Sequence, residues 1–152
     1  MKVFRLSKSE FCRDLSGKGA EKSGGRWNEK GFPVVYTSGS IALCLMEIAV
    51  HIPLGIMPSD FILTTIEFPD SIKMDVLNLE VLPEGWKSFP HPTYPKALGT
   101  LFLKEGSNLI LKVPSAVVQG EFNYLINPNH EDINKVEIIK TEPFYFDERL
   151  FK

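Results

Sequence analysis

Seven short runs rich in β-branched and aromatic residues recur along the chain: Val3–Leu6, Val34–Thr37, Phe61–Phe68, Leu109–Val113, Asn123–Ile126, Val136–Lys140 and Phe144–Phe146. Most are bounded by Gly, Pro, Asn or Asp, the pattern of strands between turns. Only two segments have the length and spacing of helices. One starts near Ser40 and stops at His51–Ile52, because Pro53 discourages continuation. The other spans Pro95 to Lys104, with Pro95 suited to a first helical turn and Gly106 to the end. Strands outnumber helices and do not alternate with them. The expected class is therefore α+β, a single compact domain of mixed or antiparallel strands with a few helices, and not a doubly wound sheet. No repeat, low-complexity tract or linker divides the 152 residues, so one domain over 1–152 is expected.

Charge and apolar run length exclude several classes. Lys plus Arg number 17 and Asp plus Glu number 19, for a net charge of −2, which argues against direct binding of nucleic-acid phosphates. The longest apolar run, Ile41 to Val50, is interrupted by Glu47 and falls short of the roughly 20 residues a bilayer span needs. The opening MKVFRLSKSE lacks the apolar core of a leader. Cys12 and Cys44 have no paired C-x-x-C spacing. A cytoplasmic protein with reduced thiols and no membrane contact is expected. Within the even total, residues 1–30 hold eight bases against four acids. A basic segment on an otherwise acidic body suits a small anionic ligand, and scattered solvated charge explains the same count.

Three places concentrate chemistry. Ser23-Gly24-Gly25-Arg26-Trp27-Asn28 sets an arginine beside glycines. Glycine lets backbone approach a ligand closely, and guanidinium grips phosphate or carboxylate through two parallel hydrogen bonds. It is no phosphate loop, since Gly25-Arg26 stands where Lys-Ser/Thr is required, and G-x-G-x-x-G is also missing. A surface turn with Trp27 anchored in the core is the alternative. Glu47 is the sole charge on a helix that is apolar nearly all round. A carboxylate buried there needs hydrogen bonds or a cation. Alternatively, Ser40, Glu47 and His51 share one stripe, which would be the solvent face. Ser115 follows an apolar run but lacks the Gly-x-Ser-x-Gly setting of a nucleophile elbow, and a turn serine is the ordinary case. His51, His91 and His130 show no metal-ligand spacing with the cysteines, so no metal site is expected.

Several of these stretches together resemble the RES-domain family, named for an Arg, a Glu and a Ser. The matching segments are Gly17-Lys-Gly-Ala20, Gly24-Gly-Arg-Trp-Asn28, Pro33-Val-Val-Tyr-Thr-Ser38 and Ala42-Leu-Cys-Leu-Met-Glu-Ile48 continuing to His51. Leu82-Pro83 with Trp86, Val113-Pro-Ser-Ala116, Asn123-Tyr-Leu-Ile-Asn-Pro128 with His130, and Phe146-Asp-Glu-Arg-Leu150 complete the pattern. The resemblance covers nearly the whole chain, and the order of the pieces is more specific than any one of them.

The resemblance implies a fold like that of ADP-ribosyltransferase toxins and a role as the toxin of a bacterial toxin–antitoxin pair. It implies degradation of NAD+, by hydrolysis or phosphorolysis, or modification of a protein. NAD+ is then the substrate, and no cofactor is expected. The implied partner is an Xre-type helix-turn-helix antitoxin that blocks the active site, and an oligomer formed with that antitoxin is one assembly this allows. Carried over by matching motif, the functional residues are Arg26, Tyr36, Glu47 and Ser115, with Asn28 and Asn127 as further substrate-binding candidates. In this scheme Glu47 supplies the anion beside the ribose, while Arg26 holds phosphate. Tyr36 stacks on nicotinamide, and Ser115 bonds a ribose hydroxyl. Transfer of ADP-ribose to a protein, and a non-catalytic module that binds nucleotide or partner and leaves NAD+ intact, are the alternatives.

Overall fold

Val3 and Leu6 are both buried although three residues apart in one extended run, so the strand β1 (Lys2–Lys8) is packed on either face. That is the pattern of an interior strand. The computed structural model describes residues 1–152 and places β1 inside a seven-stranded sheet. The other strands are β2 (Val35–Ser38), β3 (Phe61–Glu67), β4 (Met74–Val76), β5 (Ile110–Pro114), β6 (Phe122–Ile126) and β7 (Glu137–Phe144). Three helices, α1 (Lys18–Ser23), α2 (Ile41–Ala49) and α3 (Thr93–Glu105), complete an α+β domain. The order across the sheet is β4-β5-β6-β2-β1-β3-β7, with β4 and β5 parallel and the remaining pairs antiparallel.

The pairing is uneven where it matters. β1 runs beside β3 from Lys2↔Glu67 to Lys8↔Phe61, and β2 runs beside β6 from Val35↔Ile126 to Ser38↔Asn123. Between β1 and β2 a single register pair, Phe4↔Ser38, joins the two halves. A sheet held there by one pair is free to part beside it, and the walls so exposed carry side chains from both strands.

Three buried clusters hold the halves in place. Val3, Val35, Ile66, Ile110, Tyr124 and Ile126 form one on a shared face of the sheet. Trp27, Val34, Trp86, Phe102, Val113 and Leu125 form a second, which seats α3 and the Gly-Gly-Arg-Trp turn. Leu6, Cys44, Leu63, Phe146 and Phe151 form a third under α2. In this last cluster Phe61, Phe144 and Phe151 meet Phe146 edge-on at centroid distances of 5.3, 5.1 and 5.6 Å, the geometry that aromatic quadrupoles favour.

The expected elements are recovered with five differences. Val136–Lys140 and Phe144–Phe146 are not two strands: β7 is continuous from Glu137 to Phe144, and Phe146 lies beyond it in the core. Pro143 is tolerated because β7 is an edge strand. α2 ends at Ala49, short of His51, and α3 begins at Thr93, so Pro95 is its third residue. β4 has only three residues, too few to display an alternation, and α1, KGAEKS, has no apolar period. No helix is long and apolar enough to cross a membrane.

Gly99 fixes how closely α3 approaches the arginine-bearing turn. A Cβ built there would lie 1.8 Å from the Trp27 carbonyl oxygen. Gly99→Ala therefore forces the helix off Trp27, and overpacking of this kind commonly costs about 1–3 kcal/mol. The expected outcome is a fall in Tm of roughly 2–12 °C for a chain of this size, measured by thermal melting followed by circular dichroism.

Cys44 gives the core a pH dependence. Burial pushes its thiol from an ordinary value near 9.0 up to about 12. The unfolded chain then releases this proton near pH 9, whereas the folded chain retains it, so the unfolded state binds fewer protons and stability falls as pH rises above 9. Urea midpoints measured from pH 9 to 12 should decline less steeply in Cys44→Ala than in the parent. Parallel slopes would show that the thiol does not contribute.

Candidate active site

The gap beside the β1–β2 junction is a cleft of about 630 Å³, within the range of small-molecule sites. β1 lines it with Phe4 to Ser7, β2 and the residue before it with Val34 to Ser38, α1 with Lys18 and Lys22, and α2 with Cys44, Glu47 and Ile48. Asn123, at the start of β6, closes one side.

Ser40 caps α2, its hydroxyl accepting from Leu43 N at 3.1 Å, and so sets the helix phase. The solvent face of α2 is Ile41, Ala42, Met46 and Val50. Glu47 is turned toward the sheet and half-buried, so it does not lie on the solvent face, although His51 of the same stripe is exposed. The Glu47 carboxylate accepts hydrogen bonds from Ser115 Oγ at 2.9 Å and Asn123 Nδ2 at 2.6 Å. Both land on Oε1, and no group of the chain bonds Oε2. Asn123 is oriented in turn by Ser38 Oγ, which donates to its Oδ1 at 2.8 Å. Ser115 is buried and accepts from Val117 N and Val118 N, both at 3.0 Å, in the turn after β5. The serine is thus both a turn residue and a holder of the carboxylate.

Arg26 is half-buried, and its Nη1 donates to the carbonyl oxygens of Trp86 at 2.8 Å and Ser88 at 3.1 Å. Burial lowers its pKa, and the field of Glu47 opposes that shift. The two charges feel each other without touching, since neither belongs to any of the five ion pairs in the chain. Trp27 and Trp86 pack against each other with centroids 5.8 Å apart, so the two segments that frame Arg26 share one core cluster.

Tyr36 lines the cleft, donates to Asn28 Oδ1 at 2.6 Å and accepts from Trp27 N at 3.2 Å. Burial raises its pKa, so it remains a neutral phenol. Asn28 is fully buried and spends its amide on Ala20 O at 2.8 Å and Phe32 O at 3.0 Å. The structure thus places Asn28 behind Tyr36, as its support. Gly25 is required here for a contact within the chain: a Cβ would meet the Tyr36 hydroxyl at 2.8 Å.

The structure brings Glu47, Ser115 and Tyr36 to the cleft or its wall and sets Arg26 within electrostatic range. Asn127 is not part of this group. It lies four residues beyond Asn123, about 13 Å along an extended strand, and its Oδ1 accepts from Asn129 N in a turn. Two polar contributors escape residue-by-residue reasoning, Asn123 and Ser38. Asn123 heads the Asn-Tyr-Leu-Ile-Asn-Pro stretch, and its facing of Ser38 follows only from the β2–β6 register. No group of three or more His, Cys, Asp or Glu gathers to hold a metal ion.

Comparison with known proteins identifies the family and the fold. The model of the RES domain matches residues 2–147. A protein named Toxin Res from Pseudomonas putida is 40% identical over 142 residues, covering 91% of this chain and 93% of its own. A Sphingobium sp. protein named Prs ADP-ribosylating toxin is 36% identical over 141 residues, 91% of this chain and 88% of that one. Among solved structures, a chain of the M. tuberculosis MbcT–MbcA toxin–antitoxin complex superposes with a TM-score of 0.76 at 20% identity, covering 99% of this chain and 86% of that one. That similarity extends the fold assignment to the whole domain. With its motifs, its fold and this match over nearly its full length, the chain belongs to the RES domain family.

Proposed function

We propose that this protein is the toxin of a toxin–antitoxin pair and that it cleaves the nicotinamide–ribose bond of NAD+ in the cytoplasm. The observation that carries the reading is Glu47: one carboxylate on the wall of a 630 Å³ cleft, with Oε1 held by two donors and Oε2 free of the chain. An ordinary glycosidase uses two carboxyl groups, one of them to protonate the departing oxygen. NAD+ needs no such acid. As the C1′–N1 bond breaks, its electron pair neutralises the pyridinium, and nicotinamide departs uncharged. Positive charge develops on the ribose, and a fixed anion in a poorly solvated cleft stabilises it.

The other side chains fit around that step. Tyr36, neutral and held by Asn28, offers its ring as a stacking surface for nicotinamide. Ser115 and Asn123 keep Glu47 aimed, and Arg26 steadies the phosphate nearest the reacting ribose. An acceptor then adds to C1′. Water gives ADP-ribose and a proton, phosphate gives a phosphorylated ADP-ribose, and a nucleophile on a protein gives an ADP-ribosylated product. The name of the Sphingobium relative favours keeping protein transfer as the second reading. An Xre-type antitoxin that covers the cleft belongs to the same proposal, supported by the toxin–antitoxin complex that contains the structural neighbour.

Incubation of the purified protein with NAD+, with and without phosphate, followed by chromatography, tests the reaction and identifies the acceptor. Free nicotinamide is expected in either case. Glu47→Gln keeps an acceptor for Ser115 and Asn123 but removes the charge, and nicotinamide release should fall by about 10²–10³-fold. Release at the parental rate by this variant would remove Glu47 from the chemistry.

A further inference from the structure

Three aromatic side chains line the cleft: Phe4, Phe11 and Tyr36. Phe4 packs against the cluster under α2, and Tyr36 packs against the cluster that seats α3. Phe11 belongs to none of the three core clusters and is 48% exposed. No other ring and no cation stacks on it. Core packing therefore does not account for a large apolar ring at this position, and an exposed aromatic in a concave site offers a surface to a ligand.

The exposed ring stands on a pinned backbone. Phe11 ends the short 3-10 turn Ser9–Phe11 that follows β1. Ser9 is tied to Asp60 twice, its N donating to the carbonyl oxygen at 3.1 Å and its Oγ to Oδ2 at 2.9 Å. On the other side of the ring, Thr64 Oγ1 donates to Cys12 O at 3.0 Å, and Asp14 N donates to Phe11 O at 3.0 Å. A ring held in this way has only two side-chain torsions left to fix, so little freedom is lost when a flat ligand settles on it.

The sheet sets where that ring stands. Phe4 lies opposite Ser38, which bonds Asn123, which in turn bonds Glu47. From Phe4, β1 runs about 13 Å over four extended residues to Lys8, and Phe11 lies beyond that end. Gly17, just before α1, presses on Val34 at the matching end of β2, where a Cβ would lie 2.6 Å from Val34 N. Gly19 lines this end too, and a Cβ there would meet nothing within 4 Å, so the space is open. Glu47 and Phe11 thus occupy opposite ends of one cleft.

We propose that Phe11 is the platform on which the adenine of the dinucleotide stacks, at the far end of the cleft from Glu47. This rests on the dinucleotide reading above and places its second ring: nicotinamide lies by Tyr36 and Glu47, and adenine lies on Phe11. Stacking uses the π-face that every base has, so the platform supplies affinity for the base-bearing end and little choice among bases. Phe11 is a binding residue and does not reach the reacting atoms.

Calorimetry with two probes tests this: ADP-ribose, which carries adenine, and nicotinamide mononucleotide, which does not. Phe11→Ala should weaken ADP-ribose by about tenfold to a hundredfold, the worth of one base on one ring, and leave the mononucleotide unchanged. Phe11→Trp should bind ADP-ribose at least as tightly as the parent, and the added indole fluorescence should be quenched by ADP-ribose and not by the mononucleotide. Equal ADP-ribose affinity in parent and Phe11→Ala overturns the proposal, as does a parent that fails to bind ADP-ribose. Loss of both probes in Phe11→Ala also overturns it, because it marks a defect of the whole cleft. Nicotinamide release from NAD+ is scored separately. Release by a protein whose ADP-ribose affinity ignores Phe11 would sink the platform and sustain cleavage. ADP-ribose bound through Phe11 with NAD+ left intact would do the reverse.

Discussion

One oxygen of Glu47 receives two hydrogen bonds, and most of the site's geometry depends on that oxygen. The bonds cross sequence separations of 68 residues to Ser115 and 76 residues to Asn123, so they tie α2 to the turn after β5 and to the start of β6. A half-buried carboxylate left unbonded would cost several kcal/mol in an apolar setting, on the order of 2–7 even for a neutral polar group. Charge-assisted bonds from a hydroxyl and an amide offset that cost and set a direction. The apolar character of the rest of α2, which drives Leu43 and Cys44 into the core, turns Glu47 toward those donors. Packing and polar satisfaction therefore act on one helix phase.

The arginine-bearing turn is built by a different rule. Trp27 is buried against Trp86, α3 presses on the Trp27 backbone through the missing side chain of Gly99, and Glu29 N donates to Thr100 Oγ1 at 3.0 Å. Both neighbours of Arg26 are thereby constrained: Gly25 by Tyr36 and Trp27 by α3. The guanidinium is docked on two carbonyls of the Trp86–Ser88 segment, so a cation next to glycines is neither mobile nor paired with acid. The Gly-Gly-Arg-Trp-Asn stretch serves the fold at four of its five positions and presents charge at one.

How far the sequence discloses this follows from the kind of signal each feature leaves. Strand-forming runs with turn residues at their ends locate six of the strands, because β-branched composition is local. The three-residue β4 and the glycine-containing α1 leave no periodic trace and form only against neighbours. The continuity of β7 through Pro143 depends on its place at the sheet edge, a property of topology that no local window holds. In the site, Glu47 is legible because a single charge on an apolar helix demands a reason. Asn123 and Ser38 are not, since each is an ordinary strand residue until the β2–β6 register sets one opposite the other.

The separation of Glu47 from Arg26 bears on the proposed chemistry. A unit charge about 4 Å from a developing cation is worth about 4 kcal/mol at an effective dielectric near 20. An arginine in direct contact with the carboxylate would cancel a comparable share of that field at the ribose. Neutral donors hold Glu47 in place without cancelling its charge, and neutral carbonyls hold Arg26 within the protein without consuming its own. The two charges are thus kept apart, each anchored by dipoles and neither neutralised by the other. A zwitterionic dinucleotide, cationic at one ring and anionic at its phosphates, is a ligand on which charges arranged in this way all find partners.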